Sequence, residues 1–336
     1  MAMIFMALAP FIKSGHYCND KTKQSKNQAR SIFILINGNS MNNVIIDVAL
    51  VRKLIDSQFP QWKHLEIKQV AHGGWDNRTF HLGGKMLVRL PSAVEYAAKV
   101  EIEHRWLPIL APLLPLAIPV PLEIGQPGNS YPWKWSVYRW LEGEVAVTAQ
   151  INNLSIFAKD LAQFLIALHK IDPTNGPVPG PHNFYRGGSL HVYDAQTRQA
   201  IEKLKDKIDA AATTQVWETA LATSWNKPPV WVHGDICLGN LLVQNGKLSA
   251  VIDFGGLAIG DPACDLAIAW TFFKGESREV FRTILNLDEG IWARGRGWAL
   301  WKALIVAAGI CETNNIEGKD CWRIIDEVIA DHKQNK

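Results

Sequence analysis

The stretch from Val230 to Gly256 constrains this chain most. An apolar run, Val230-Trp231-Val232, stops at His233-Gly234-Asp235. Asn240 follows five residues after Asp235, and a second apolar run, Leu241 to Val243, begins at once. Asn245-Gly246-Lys247 is a turn between strands. Leu248 to Ile252 then delivers Asp253-Phe254-Gly255-Gly256. Two strand-like runs therefore bring Asp235, Asn240 and Asp253 to one place. Phosphoryl transfer needs such a set. One carboxylate accepts the proton of an acceptor hydroxyl, and an amide and a second carboxylate hold the Mg2+ ions that bridge nucleotide phosphates.

His233-x-Asp235-x4-Asn240 followed by Asp253-Phe254-Gly255 resembles the catalytic and metal loops of the kinase fold. His-Gly-Asp in place of His-Arg-Asp, with the tail Gly260-Asp261-Pro262-Ala263-Cys264-Asp265-Leu266-Ala267, resembles the aminoglycoside phosphotransferase family. Those are small-molecule kinases of the antibiotic, choline and homoserine type. The resemblance runs from about residue 45 to 335. It implies an α+β, two-lobed, protein-kinase-like fold. Residues 41–140 would form a nucleotide-binding lobe, an antiparallel sheet with a helix, and 141–336 a larger, mainly helical lobe for catalysis and the acceptor. It also implies transfer of the γ-phosphoryl group of ATP or GTP, with Mg2+, to a hydroxyl of a small molecule, antibiotic or metabolite. Asp235 would be the catalytic base, Asn240 and Asp253 the metal ligands, and His233 and Asp265 the supports of the catalytic loop.

Three other readings meet obstacles. A nucleotide-binding pseudokinase would be expected to lack Asp235 or Asp253, and both are present. A Zn2+ hydrolase built on His233, Asp235 and Asp253 would want further His or carboxylate ligands, and Asn240 is a poor one. A protein kinase would carry Arg after His233 and an APE-like segment.

Composition agrees with a globular enzyme. The chain has 336 residues, enough for two lobes, and 48% hydrophobic residues, enough for a sizeable core. The 5 cysteines are scattered and odd in number, which speaks against a disulfide framework and for a reducing cytoplasm. Net charge is +3, but residues 1–40 hold five basic residues against one acidic, leaving 30 basic and 31 acidic in the body. The body is thus not a nucleic-acid binder by charge, and no apolar run is long enough for a membrane span. A monomer or homodimer is expected. Positive charge follows the apolar start instead of preceding it, so a secretory signal is not expected. Residues 1–40 read as a disordered tail or an upstream extension.

Along the chain, Asp47 to Phe59 reads as an amphipathic helix capped by Asp47. His72-Gly73-Gly74-Trp75-Asp76-Asn77 turns between two strands, and the resemblance lays Gly73, Gly74 and Asn77 over nucleotide phosphates. In the next strand it makes Arg89 the phosphate cation, with Lys85 the competitor. On the helix expected from Ala93 to about Leu110, capped by Ser92, it makes Glu103 the partner of Arg89, with Glu101 the runner-up. The prolines of 112–132 exclude helix and central strand. Trp135 to Trp140 is a strand. Leu141-Glu142-Gly143-Glu144 is the implied hinge, placing the nucleotide base beside Arg139 and Leu141, with Leu242 on the same side. Ile151 to Lys170 reads as a core helix. The block from Asp172 to Ala222, including Phe184-Tyr185-Arg186-Gly187-Gly188, would build the acceptor pocket. Asp261 should open a helix running to about Phe273. Two Trp- and Ile-rich helices near 291–311 and 320–332 should pack against that block and close the acceptor pocket. Glu142 and Asp261 are the carboxylates proposed for a cationic acceptor, yet the 14 tryptophans tilt the reading toward an apolar one.

Overall fold

The computed structural model describes residues 44–70, 76–311 and 317–334. The expectations for residues 1–40, and for Gly73 and Gly74, lie outside the described residues.

Helix α1 (Val48–Gln58) opens where the Asp47 carboxylate accepts a hydrogen bond from the Leu50 amide, 2.8 Å away. It buries Val51, Leu54 and Ile55 against one face of a five-stranded sheet. The strands are β1 (Ile67–Gln69), β2 (Asn77–Leu82), β3 (Met86–Pro91), β4 (Pro121–Gly125) and β5 (Trp135–Arg139), all antiparallel in the order β1-β2-β3-β5-β4. Phe80, Leu82, Val88, Leu90, Trp135 and Val137 are the sheet's share of this core. β4 is an edge strand, which is where a strand beginning with Pro121 can sit.

Helix α2 (Val94–Leu110) follows β3. Ser92 does not cap it. The Ser92 amide and hydroxyl both bond to the Asp76 carbonyl, at 2.8 and 3.0 Å, and Ala93 takes the cap position. Alongside Val100, Trp106, Leu107 and Leu110, α2 buries two charged residues, Lys99 and Glu103.

The second core is larger. Strand β6 (Glu144–Val145) pairs with β8 (Leu241–Gln244), and β8 with β9 (Lys247–Val251). Asn245 and Gly246 between them have φ of 53° and 74°, the left-handed pair a tight hairpin demands. Strand β7 (Val230–Val232) pairs with β10 (Ala258–Gly260), a strand the sequence reading does not name. Helices α3 (Leu154–Lys170), α4 (Asp194–Leu204), α5 (Ala210–Leu221), α6 (Ile268–Thr271), α7 (Glu276–Leu285), α8 (Glu289–Ala307) and α9 (Glu317–Gln334) complete it. α7 is likewise unanticipated.

α8 is apolar all round and sits at the centre, buried from Ile291 to Val306 save Lys302, which is half-buried. Its glycines permit close approach: a Cβ on Gly297 would lie 2.7 Å from Ala220 Cβ, and one on Gly295 2.9 Å from Leu266 Cβ.

The helix expected from Asp261 to Phe273 is instead a 3-10 run, Pro262–Ala267, followed by the single turn α6. Arginines take the carbonyls a continued helix would use. Arg278 bonds those of Ala269 and Phe273, and Arg323 those of Trp270 and Thr271. No helix among the described residues is long and apolar enough to cross a membrane.

Candidate active site

Pairing of β7 with β10 sets Val232 opposite Ala258 and so brings His233-Gly234-Asp235 against the loop after β9. The backbones nearly touch: a Cβ on Gly234 would lie 2.3 Å from the Gly256 carbonyl, and Gly234 has φ 83°. No other residue type fits there without strain.

Asp265 holds this loop from below. Its carboxylate accepts hydrogen bonds from the amides of His233 and Gly234, at 2.8 and 2.7 Å. Burial pushes its carboxyl up to about 6, against those two bonds. His233 is fully buried, with burial pushing its imidazole down to about 4, so the ring is neutral. Its two neighbours set the tautomer: Nε2 donates to the Ile252 carbonyl at 3.1 Å, and Nδ1 accepts from the Asp235 amide at 3.2 Å. His233 thus joins the catalytic loop to the strand leading into Asp253.

Asn240 Nδ2 donates to both the carbonyl and the carboxylate of Asp235, each at 2.9 Å. That leaves the Asn240 Oδ1 as an acceptor. Burial pushes the Asp235 carboxyl up to about 7; Asp253 adds to this, while Arg186, Lys302 and the Asn240 bond pull it back. Asp253 has φ 65°, a left-handed conformation uncommon for a non-glycine residue and a mark of a functional turn. Burial alone would raise its carboxyl, but Arg89 and Lys99 hold it below the usual range.

Arg89 Nη1 bonds to Glu103 at 3.3 and 3.4 Å, and Arg89 Nη2 to Asp253 at 3.3 Å. One guanidinium therefore spans the two cores. Tyr138 on β5 donates its hydroxyl to Glu103 and lies 5.6 Å below Arg89. Glu101 and Lys85, the competitors, are exposed, and Glu101 pairs with Lys134 instead. A second buried pair, Lys99 Nζ with Asp76 at 2.7 Å, was missed. Its signal was available: Lys99 lies one turn before Glu103 on α2, so the two share a face.

Hinge glycine Gly143 has φ 140° and lies over Leu242; a Cβ on it would lie 3.1 Å from Leu242 Cβ. Gly143 thus lies against Leu242. Asn77 is half-buried at the head of β2, Leu141 is half-buried, and Arg139 is exposed.

Beside Asp235 opens a cavity of about 810 Å³, counting the part open to solvent. It takes residues from the catalytic loop, from α8 and from Arg186. Neither carboxylate proposed for the acceptor lines it. Glu142 is exposed on the hinge. Asp261 is buried, its carboxylate taken by Arg294 Nε and Nη2 at 2.6 and 3.3 Å and its turn by the Ala263 amide. Arg186 comes from the block expected to build the acceptor pocket, whereas Trp298 and Lys302 are lining residues the sequence reading did not name individually.

The donors at Asp235, Asn240 and Asp253 are all oxygens, and among the described residues no three His, Cys, Asp or Glu converge as a metal cage. Few protein oxygens and an open side suit Mg2+, which keeps waters and takes phosphate oxygens. They do not suit Zn2+.

A sheet carrying a clamped cation, set against a helical body that carries Asp235, Asn240 and Asp253, is the architecture of kinase-like phosphotransferases. The APH model, the phosphotransferase enzyme family, matches residues 66–298, well over half the chain. The chain belongs to that family. An aminoglycoside 3'-phosphotransferase of Salmonella typhimurium is 33% identical over 116 residues, 33% of this chain and 41% of the relative. One from Escherichia coli is 44% identical over 57 residues, 17% of this chain and 21% of that protein. The chain thus spans less than half the length of the curated relatives it matches. Among solved structures, the GDP and kanamycin complex of APH(2")-IIia superposes with a TM-score of 0.63 at 16% identity, covering 84% of this chain and 98% of that one. The apoenzyme of a macrolide 2'-phosphotransferase from Brachybacterium faecium gives 0.54 at 20% identity, covering 83% and 98%. These likenesses are likenesses of fold.

Proposed function

We propose that this protein is a Mg2+-dependent phosphotransferase that moves the γ-phosphoryl group of ATP or GTP to a hydroxyl of a small molecule. The convergence of Asp235, Asn240 and Asp253 with the Arg89–Glu103 pair carries the reading. The family match supports it, as do relatives and fold neighbours named as aminoglycoside and macrolide phosphotransferases. Residues 41–140 supply the nucleotide side and 141–336 the catalytic loop and acceptor side.

Catalysis here is mostly positioning and charge neutralisation. Asp235 orients the acceptor hydroxyl and takes its proton. Asn240 keeps the Asp235 carboxylate aimed, and its Oδ1 would join Asp253 in holding Mg2+. When bound, that ion would neutralise the phosphate oxygens. Arg89, clamped by Glu103, offers its guanidinium to the phosphates. Asp265 and His233 keep the loop rigid. The base lies along the hinge near Arg139, Leu141 and Leu242.

The test is Mg2+-dependent release of ADP or GDP across a panel of hydroxyl acceptors, followed by phosphorus NMR of the product. Transfer lost on removing Mg2+ and on Asp235→Asn is the expected result. Transfer unchanged by both would overturn the reading.

A further inference from the structure

The cavity beside Asp235 has a lining that narrows the acceptor. Its walls are apolar, from Ile236, Trp298, Ala299, Ala303, Val306 and Ile324. Its described charged residues are two cations, Arg186 and Lys302, and two acids, Asp235 and Asp320. Asp320 is engaged in a fork by Arg323, at 2.7 and 3.0 Å. Asp235 is committed to the reacting hydroxyl. An ammonium entering here would meet the Arg186 guanidinium at short range.

Arg186 is held at this cavity with unusual firmness. Phe184 and Tyr185 before it both have left-handed φ, 54° and 52°, and Gly187 after it has 74°. Such strain persists only where the surroundings over-determine it. Asn183 supplies part of that. Its side chain accepts from the Gly180 amide at 2.8 Å and donates to the Val178 carbonyl at 3.0 Å. The Tyr193 hydroxyl donates to the Phe184 carbonyl at 2.7 Å, and the Asp261 amide to the Gly187 carbonyl at 2.8 Å. The guanidinium lies 5.0 Å from the Trp298 ring and 5.8 Å from Trp301. Lys302 follows Trp298 by one turn of α8, so both face the same side. A stacked, pre-set guanidinium is a ready partner for a planar carboxylate.

We propose that the acceptor is a hydroxylated compound with an apolar body and a carboxylate close to the reacting hydroxyl, and that Arg186 holds that carboxylate. This rests on the phosphotransferase reading and narrows its acceptor. The hydroxyl oxygen attacks the γ-phosphorus and its proton passes to Asp235. The bond from that phosphorus to the β,γ-bridging oxygen breaks, leaving its electron pair on the nucleoside diphosphate. The product is a phosphorylated hydroxy acid.

Three probes of one carbon skeleton test this: a medium-chain hydroxy acid, its amide, and the amino alcohol. Kanamycin serves as the polycation. Binding is read by titration calorimetry and transfer by ADP or GDP release, on wild type, Arg186→Gln and Arg186→Lys. The expected order is hydroxy acid, then amide, then amino alcohol. The first and last should differ by about 10²-fold in kcat/KM, in line with swapping an attractive charge pair for a repulsive one. Arg186→Gln should erase most of that ratio and Arg186→Lys retain part of it, with melting temperatures unchanged. A merely structural arginine would not move the ratio. The proposal fails if kanamycin or the amino alcohol is used as well as the hydroxy acid, if no hydroxy acid binds, or if Arg186→Gln leaves the ratio intact. The parent reading is judged separately, by whether basal Mg2+-dependent nucleotide hydrolysis falls in Asp235→Asn.

Discussion

The two ends of the cleft solve opposite electrostatic problems. At the nucleotide end every buried charge has a counter-charge: Arg89 with Glu103 and Asp253, Lys99 with Asp76. At the acceptor end Asp235 shares an otherwise apolar cavity with Arg186 and Lys302, yet burial outweighs both cations and pushes its carboxyl up to about 7. Under the proposed function, the difference follows from what each end would bind. A nucleotide brings phosphates and metal of fixed charge, so the protein can pre-pair its groups and exchange partners on binding. An acceptor hydroxyl brings no charge but a proton, so its base must be desolvated enough to want one.

The largest expected effect is at the acceptor end. Asp235→Asn should lower turnover by about 10²–10⁴ because the proton acceptor is gone. Nucleotide affinity should stay near wild type, as Asp235 is not part of the Arg89 network. Stopped-flow single turnover and equilibrium nucleotide binding separate the two. A loss of affinity with turnover intact at saturation would erase the contrast between the ends.

Next comes the nucleotide end. Arg89→Ala removes a charge-assisted contact and should cost about 2–4 kcal/mol in kcat/KM. Glu103→Gln leaves the arginine its charge and its Asp253 contact, so it should cost less. The double variant should fall well short of the sum, since both act through one interaction. Additive costs would show that Arg89 and Glu103 work independently.

The residues of the Arg89 network could be named from the sequence because they lie on or beside regular elements. Arg89 closes an apolar strand, Glu103 sits on a helix face, and Asp253 ends a strand that a recognisable turn begins. The resemblance, not their spacing, implied that Arg89 and Glu103 pair, and Asp253 meets Arg89 across 164 residues of chain. The acceptor end was legible only in part: Asp235, the block holding Arg186 and the Trp-rich C-terminal helices were expected there, but not which of their side chains meet. Arg186, Asp235, Trp298 and Lys302 come from segments far apart, and only the packing of α8 brings them together. Asp261 shows the same limit from the other side. An acid beside a catalytic loop reads as a ligand until a buried arginine two helices later, Arg294, is seen to claim it. Arg278 and Arg323 likewise shorten a helix from outside it.

A smaller effect tests the support shared by both ends. Asp265→Ala strands two buried amides, His233 and Gly234, and should destabilise the fold by roughly 2–4 kcal/mol in urea unfolding. Asp265→Asn keeps one acceptor oxygen and should cost less. Equal losses for both variants would mean that its charge, not its hydrogen bonds, supports the loop.

The smallest effect is the most discriminating, because the two ends predict opposite signs. Asp253 has its folded carboxyl held below the ordinary 3.8, since Arg89 and Lys99 outweigh burial. Its contribution to stability is therefore present above that value and is lost as pH falls below it. Asp235 is the reverse. Its folded carboxyl is raised to about 7, so the folded protein keeps a proton the unfolded chain has already released. Relative to an ordinary carboxyl, its contribution is present below pH 3.8 and is lost as pH rises through about 7. Asparagine at 235 cannot ionise, so it does not suffer this loss. In the ligand-free protein, Asp235→Asn should therefore gain on wild type as pH rises from 5 to 8, by about 2–3 kcal/mol. The inactive variant should be the more stable protein at pH 8. Paired urea titrations at the two pH values read this directly. A difference between wild type and variant that does not change with pH would show that Asp235 is already ionised at pH 5, and the desolvated base at the acceptor end would have to be given up.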